Sequence, residues 1–384
     1  MSRVCLGDVA FEHKETCKAG KEEYPVVGLE HLIPEEITLT EWDEGSENTF
    51  TKVFRKGNVL FGRRRAYLKK AAVALFDGIC SGDITVIEAR PERILPELLP
   101  FIIQNDALFD YAVGKSAGSL SPRVKWEHLK NYEFELPDLE KQKELAGVLW
   151  SIDTTKKAYQ KLIKQTDELV KSQFIEMFVC GNPYERRPLG DYVKQVRGVS
   201  YKPSDLHSSL DENSVVLLRA NNISGGKINH DEVQYVDKTK VSSEQIIGAE
   251  DILICASSGS LDHVGKAALC EKDGVGETFG AFCKLIRCTG VLLPKYVAAY
   301  LETEEYRKII TQFACGSNIN NLRNEHIDSL MVPVPPVPIQ EQFAEFVRQS
   351  DKSKFAIQNL QILAPNYIDT QEWLYYNSRS KITY

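Results

Sequence analysis

The chain has 384 residues, 43% of them hydrophobic and 26% charged, with a net charge of −7. No apolar run approaches the roughly 18 residues of a membrane span, and the opening Met1-Ser2-Arg3-Val4-Cys5 has no signal-peptide core, so a cytoplasmic protein without membrane partners is expected. Nine cysteines, an odd number with no Cys-x-x-Cys pair and no clustered histidines, argue against a disulfide framework and a structural zinc, and are expected to be reduced and mostly buried.

In chain order, the first segment carries Leu6-Gly7-Asp8, an apolar run from Val26 to Leu32, and then a basic stretch. Between Glu47 and Asp77 there is no acidic residue, while Lys52, Arg55, Lys56, Arg63, Arg64, Arg65, Lys69 and Lys70 all fall there. A local field of that sign attracts phosphates even on an acidic protein, because screening leaves only charges within roughly 10 Å to act strongly. Phe61 and Tyr67 interleave with the cations, which favours a binding loop over a solvated basic strand. The β-branched run Ile84-Thr85-Val86-Ile87 reads as a strand, and Pro96 to Val113 as helical.

A second segment repeats the first. Lys70-Ala71-Ala72, Gly118-Ser119, Glu127-His128 and Leu136-Pro137 recur as Lys266-Ala267-Ala268, Gly316-Ser317, Glu325-His326 and Val334-Pro335. From Pro96/Pro294 through Gln142/Gln340 to Ala146/Ala344 the offset holds at 198 residues. Upstream, Leu189-Gly190-Asp191 and the run Leu217 to Ile223 match with small insertions. Copies of about 140 to 155 residues are domain-sized, so two related mixed α/β domains are expected, with small sheets and packed helices. His128 and His326 stand at equivalent positions, which points to packing or capping more than to catalysis.

Between the copies, Leu139 to about Val179 lacks proline and reads as one long helix. Leu145, Leu149, Ile152, Tyr159, Ile163, Val170 and Met177 follow a 4,3 spacing, with Lys156, Thr166 and Gln173 in the remaining slots, which is a coiled-coil seam. After Pro333-Val334-Pro335-Pro336-Val337-Pro338, a shorter echo keeps the spacing at Ile339, Phe343, Phe346, Ser350, Ser353, Ile357 and Leu360. If the second helix pairs along the first, it runs back antiparallel, and a spacer on the order of 60 Å separates two reading heads. The expected division is 1–138, first domain; 139–180, long helix; 181–337, second domain; 338–384, return helix and tail.

These features resemble the specificity subunits of type I restriction-modification systems. The resemblance rests on Lys56-Gly57-Asn58-Val59-Leu60, Ser81-Gly82-Asp83-Ile84, Gly118-Ser119-Leu120 and Leu136-Pro137 into Gln142. Their counterparts are Glu250-Asp251-Ile252-Leu253, Gly316-Ser317 with Asn318 to Asn321, and Pro335-Pro336-Val337-Pro338-Ile339-Gln340-Glu341-Gln342. It covers residues 1 to about 360 and implies two tandem target-recognition domains joined by long antiparallel helices. It further implies a non-catalytic reader of a bipartite duplex DNA target. Methyltransferase subunits, two of them, and restriction subunits would dock on it, and S-adenosylmethionine, ATP and Mg would be bound by those partners and not by this chain. The departure from the family is the C-terminus. Pro365 ends the return helix early, and Trp373, Leu374, Tyr375 and Tyr376 either cover the exposed seam, dock a partner or belong to a frayed end.

The candidate DNA-binding residues of the first copy are Arg63, Arg64, Arg65, Tyr67, Lys69, Lys70, Arg123 and Lys125. Those of the second are Arg219, Asn221, Asn222, Ser257, Ser258, Asn318, Asn320, Asn321 and Arg323. Guanidinium groups pair bidentately with guanine or grip phosphate, and Asn pairs with adenine, while turn chemistry is the plain alternative for any single Asn or Ser. Arg63, Arg64 and Arg65 stand where the second copy has Ala256, Ser257 and Ser258, so one scaffold displays two loop chemistries. The helix seams, at Leu145, Leu149, Ile152, Tyr159, Ile163, Val170, Phe343, Phe346, Ile357 and Leu360, are the candidate docking residues. A DNA-free coiled-coil scaffold is the alternative. A stand-alone methyltransferase is disfavoured, because Asn182-Pro183-Tyr184 lacks a second proline and a Gly-rich cofactor turn. Gly114-Lys115-Ser116 has Phe109 where a phosphate loop needs glycine, and no Glu-x-Lys follows Pro137-Asp138 in the next thirty residues.

Overall fold

The computed structural model describes residues 2–17, 21–45, 49–181, 184–314 and 320–363, with backbone alone at 22, 314, 320 and 360–363. The chain divides into two compact units, between Gln160 and Lys161 and again after Ile357. The helix expected as a separate segment is therefore shared between the units, not independent of them.

In the first unit a four-stranded antiparallel sheet has the order Ala10–Glu12, Ile84–Ala89, Val59–Gly62, Ala71–Val73. Val59–Gly62 is central and fully buried, which is why it reads as an apolar run with no alternation. A second sheet pairs Val26–Val27 in parallel with Gly78–Cys80, which also takes Lys52–Phe54 antiparallel. Ser2–Cys5 closes the domain by pairing with Glu133–Leu136. The helical segment expected from Pro96 is split into Leu99–Ile103 and Asp106–Gly114, because Asn105 caps the second by accepting from the Ala107 N–H at 2.8 Å.

The second unit repeats this plan. Its sheet runs Val193–Arg197, Cys283–Cys288, Ile252–Cys255, Ala267–Leu269, all antiparallel. Leu217 and Leu218 pair in parallel with Thr278 and Phe279, as Val26 and Val27 do with Ile79 and Cys80. Arg186–Pro188 pairs with Met331–Pro333 as the closing ribbon. The second copy adds the strands Leu206–His207 and Gln234–Asp237 and the hairpin Ile223–Ser224/Lys227–Ile228.

One device is duplicated almost atom for atom. The buried Gln142 accepts from the Leu95 N–H at 2.8 Å and donates to the Pro137 carbonyl at 2.9 Å. The equally buried Gln340 accepts from the Leu293 N–H at 2.7 Å and donates to the carbonyls of Pro335 at 2.8 Å and Val291 at 3.0 Å. Each glutamine ties the first turn of a stem helix to the helical segment of its own domain, satisfying backbone groups that burial would otherwise orphan.

The long helix is continuous from Leu139 to Phe178 and the return helix runs from Val337 to Leu363. For three of the coiled-coil and docking residues the docking half of the expectation needs correction. Leu145 and Leu149 belong to the core of the first domain, with Phe101, Ile102 and Phe134. Phe343 is fully buried in the second, against Phe174, Phe178 and Tyr296. These positions seal their own domains and are not available to a partner subunit. Along the middle of the helix Ile152, Tyr159, Ile163 and Val170 are all half-buried, and Val170 packs on the second domain's core.

Within the second unit the return helix is antiparallel to the long helix. Phe343 meets Phe174 and Phe178, while Lys354, further along, reaches Asp167 at 2.8 Å. The inward positions are Phe343, Val347, Ser350, Lys354 and Ile357, so the expected phase slips by one residue at two places. Val347 packs on the core where Phe346 was expected and Phe346 is half-buried; Ser353 is exposed and Lys354 turns inward. The slip is stabilised by the pairing of Lys354 with Asp167 and Asp351, which a hydrophobic pattern does not register. The Leu360 side chain, the tail with Trp373 to Tyr376, and Asn182-Pro183 lie outside what is described. Among the described residues no helix is long and apolar enough to cross a membrane.

Candidate nucleic-acid interface

In the first domain the loop after strand Val59–Gly62 meets the loop before helix Trp126–Leu129. The Arg63 N–H donates to the Asp83 carbonyl at 3.0 Å, and the Arg63 carbonyl accepts from Val124 at 2.9 Å. Arg64 faces Arg123 across an antiparallel bridge, and the Arg65 N–H donates to the Pro122 carbonyl at 2.8 Å. Reciprocal hydrogen bonds between Ala117 and Arg123, at 3.0 and 2.9 Å, close the intervening residues into a hairpin whose Leu120 is 90% exposed. Arg65 and Lys69 take left-handed φ of 54° and 51°, the two ends of the tight Ala66–Leu68 turn that presents Tyr67 to solvent.

Asp83 organises this cluster. Its carboxylate accepts from Arg123 Nε at 2.6 Å and Nη2 at 3.1 Å, and Arg64 Nη1 stands 3.5 Å away. The Arg123 hydrogen bond holds the Asp83 carboxyl below its usual range and raises Arg123 in turn. Arg64 Nη2 donates to Ser121 Oγ at 3.1 Å, so both loops are cross-tied. The Nε atoms of Arg63 and Arg64 are nevertheless buried without a hydrogen-bond partner. Sequence reading passed over Asp83 as a site residue; its signal was an acidic residue at the mouth of a buried strand, Ile84–Ala89.

The basic stretch is less free than its composition suggests. Lys52 donates to the Ile84 carbonyl at 2.7 Å and burial lowers its pKa, while Arg55 is held by Glu15 and Asp77. Lys69 pairs with Asp106 at 2.5 Å and Lys70 donates to the Leu29 carbonyl at 2.8 Å. Lys69 and Lys70 therefore act as structural ties within the domain, as Arg64 and Arg123 do through Asp83. The side chains of Arg65 and Lys125 make no hydrogen bond or ion pair with the described residues.

In the second domain the equivalent loops form a short ladder. Ser257 pairs with Asn321 and Ser258 with Asn320, matching the Arg64/Arg123 bridge. The Ala256 N–H donates to the Phe282 carbonyl and the Leu322 N–H to the Ala256 carbonyl, both at 2.8 Å, matching Arg63 with Asp83 and Val124. Asn321 and Arg323 are exposed, and Ser257 and Ser258 half-buried. Asn318 lies outside the described residues, as does the Asn320 side chain.

The Arg219 turn is a separate feature. Arg219 Nη2 and Asn221 Nδ2 both donate to the Glu232 carbonyl, at 2.9 and 3.4 Å, and Arg219 Nε is buried without a partner. Asn222 is a second correction. It is fully buried, its Oδ1 accepts from the Arg219 N–H at 2.9 Å and its Nδ2 donates to the Asn229 carbonyl at 3.0 Å, so both ends of its amide shape the loop and none is left for a base. His31 Nδ1 accepts from Gly28 in the corresponding turn of the first domain. His326 caps in the same manner, accepting from the Arg323 N–H at 3.3 Å, and stacks on Phe313.

The eight described cysteines form no disulfide among the described residues, and burial pushes Cys255 up to about 11 and Cys80 and Cys270 up to about 12. Among the described residues no group of His, Cys, Asp or Glu side chains is arranged to hold a metal ion.

The specificity subunit of the type I restriction enzyme StySPI of Salmonella potsdam is 33% identical over 177 residues, 45% of this chain and 38% of that protein. The EcoKI specificity subunit of Escherichia coli strain K12 is 34% identical over 158 residues, 41% of this chain and 34% of its own length. Both alignments thus span well under half of those relatives. The crystal structure of a type I restriction-modification S subunit from M. genitalium superposes with a TM-score of 0.54 at 12% identity, covering 94% of this chain and 92% of that one, so the fold is shared. The family model for the type I restriction modification DNA specificity domain matches twice, at residues 2–166 and 184–364, and the chain belongs to that family.

Proposed function

We propose that this chain is the DNA-reading specificity subunit of a type I restriction-modification complex, each domain reading one half of a bipartite target. The observation that carries the reading is the pair of loop clusters built on matching backbone hydrogen bonds. One backbone framework displays Arg64 against Arg123 in the first domain and Ser257 against Asn321 in the second. Paired cations suit guanine edges and phosphates, and a serine-asparagine ladder suits adenine and the other hydrogen-bonding edges. Two related scaffolds that display unlike chemistry on matching loops are what reading two different half-sites requires.

On this reading the chain is non-catalytic and works in the cytoplasm. Two methyltransferase subunits dock on the stem helices and restriction subunits join them. S-adenosylmethionine, ATP and Mg are bound by those partners and none by this chain. The stem faces that remain half-buried, at Ile152, Tyr159 and Ile163, are the ones left for docking. Arg64, Arg65, Arg123, Lys125, Asn221, Asn321 and Arg323 carry the direct DNA contacts, and Asp83 positions Arg64 and Arg123.

The deciding experiment is a methylated-base map of DNA from cells making this chain with a type I methyltransferase subunit, against cells lacking the chain. The expected result is a new split motif, two short specific halves around a fixed unspecified spacer. Methylation without a bipartite motif, or independent of this chain, rejects the reading and favours a DNA-free scaffold.

A further inference from the structure

We propose that Phe282 is the specificity-determining residue of the second domain, making an apolar contact with one base of the half-site that domain reads; this deepens, and rests on, the DNA-reading function above. Its position carries the argument. The Phe282 carbonyl accepts from the N–H groups of Ala256 at 2.8 Å and Ser257 at 3.0 Å, as the Asp83 carbonyl accepts from Arg63 at 3.0 Å. Phe282 therefore stands where the first domain has Asp83, the residue on which Arg64 and Arg123 converge. The centre of one loop cluster is a carboxylate holding two guanidinium groups. The centre of the other is a phenyl ring.

That ring is 69% exposed, between the buried Gly280 and Cys283. Slack in the loop does not account for it, because the same backbone is fixed on both sides: besides the two bonds to Phe282, the Cys283 N–H donates to the Gly280 carbonyl at 2.8 Å. Scattered exposed apolar residues are ordinary on any surface, but this one is fixed by its carbonyl against Ala256 and Ser257, in a loop pair whose other side chains are Ser258, Asn321 and the cations Lys284 and Arg323. Those groups are polar or charged, so they supply hydrogen bonds and charge but no attraction for apolar surface. A phenyl ring supplies what they lack, either against a thymine methyl in the major groove or against the face of an unstacked base.

The test uses the assembled complex with methyltransferase subunits. The methylation map first gives the target, and Arg65→Ala assigns one half to the first domain. Duplex binding is then measured for Phe282→Ala and Phe282→Tyr, with each thymine of the other half replaced in turn by uracil. Phe282→Ala should weaken binding about 5- to 100-fold, relax discrimination at one base pair of the second half alone, and leave the first half unchanged. Phe282→Tyr should retain most of the affinity. A thymine-to-uracil change that weakens the unsubstituted complex and has no further effect in Phe282→Ala puts the ring on a methyl; sensitivity to the base and not to its methyl puts it on a base face. Unchanged affinity and discrimination in Phe282→Ala overturns the proposal while the bipartite reading stands. Equal loss over both halves with loss of co-purifying methyltransferase also overturns it, making Phe282 a subunit contact. Absence of any bipartite motif with the unsubstituted chain is visible before a variant is made, and rejects the DNA-reading function and this proposal together.

Discussion

The tip of the first domain is a network of paired charges and the tip of the second is a serine-asparagine ladder with an exposed ring beside it. Beneath the tips the two share the four-stranded sheet, the closing ribbon and the glutamine tie, although the second adds two strands and a hairpin. The hydrogen bonds that hold Arg63 and Ala256 in place are all backbone to backbone, so none of them depends on which side chain stands there. In contrast, Gln142 and Gln340 bind through their side chains, and there both copies keep the same residue. A fold that reads variable targets can change side chains freely only where the main chain alone carries the structure.

Truncating the paired glutamines tests the invariant half of this comparison and should have the largest effect. Gln142→Ala leaves the Leu95 N–H and the Pro137 carbonyl buried and unpaired and should cost about 3 kcal/mol, and Gln340→Ala should cost a similar amount in the other domain. Thermal unfolding, with hydrogen exchange at the Leu95 and Leu293 amides, would show it; a domain indifferent to its glutamine would break the equivalence. The variable half is probed by replacing Arg63, Arg64 and Arg65 together with Ala. DNA binding by the assembled complex should fall on the order of 100-fold, from about 1 kcal/mol per arginine. The slope of log affinity against log salt should also flatten by roughly 1 to 3, whereas Ser257→Ala with Ser258→Ala should leave that slope unchanged. An unaltered slope in the arginine variant would favour a scaffold that does not touch DNA.

Two smaller effects separate structure from reading. Asn222→Ala should destabilise the second domain by about 1 to 2 kcal/mol through its lost loop bonds, while Asn221→Ala should leave melting unchanged and alter only DNA affinity. The reverse pattern would restore Asn222 as a contact. Asp83 makes the first domain's tip sensitive to acid. Its folded pKa lies below the ordinary carboxylate value of about 3.9, so its stabilising contribution is full above that value and is lost as pH falls through the lower, folded one. Asp83→Asn should abolish this acid-side loss in the first domain, and the second domain, with Phe282 at that position, should show no counterpart in amide exchange around Ser257.

The architecture was legible in the residues to an unusual depth because a repeat is its own alignment. The offset shared by Pro96/Pro294 and Gln142/Gln340 implied two like domains, and matching Arg64 to Ser257 and Arg123 to Asn321 already located the tips that the structure pairs. The stem seam was legible in the long helix, where apolar spacing is regular. It misled in the return helix, where a lysine takes an inward position by pairing with Asp167 and a phenylalanine is turned aside.

Sequence by itself determined that there are two homologous domains, where the stem helices begin, and which loops carry unlike chemistry. Each of these rests on local propensity or on a pattern repeated along the chain. Only the tertiary structure decided which groups remain available at the tips. The stretch from Lys52 to Lys70 contains no acidic residue, yet folding brings Glu15, Asp77, Asp83 and Asp106 against it and engages five of its cations. It also buries Asn222 and leaves Phe282 in water. Charge and hydrogen-bond pairing act over a few ångströms between residues far apart in the chain, so composition states what a segment carries and the fold decides what it has left to offer.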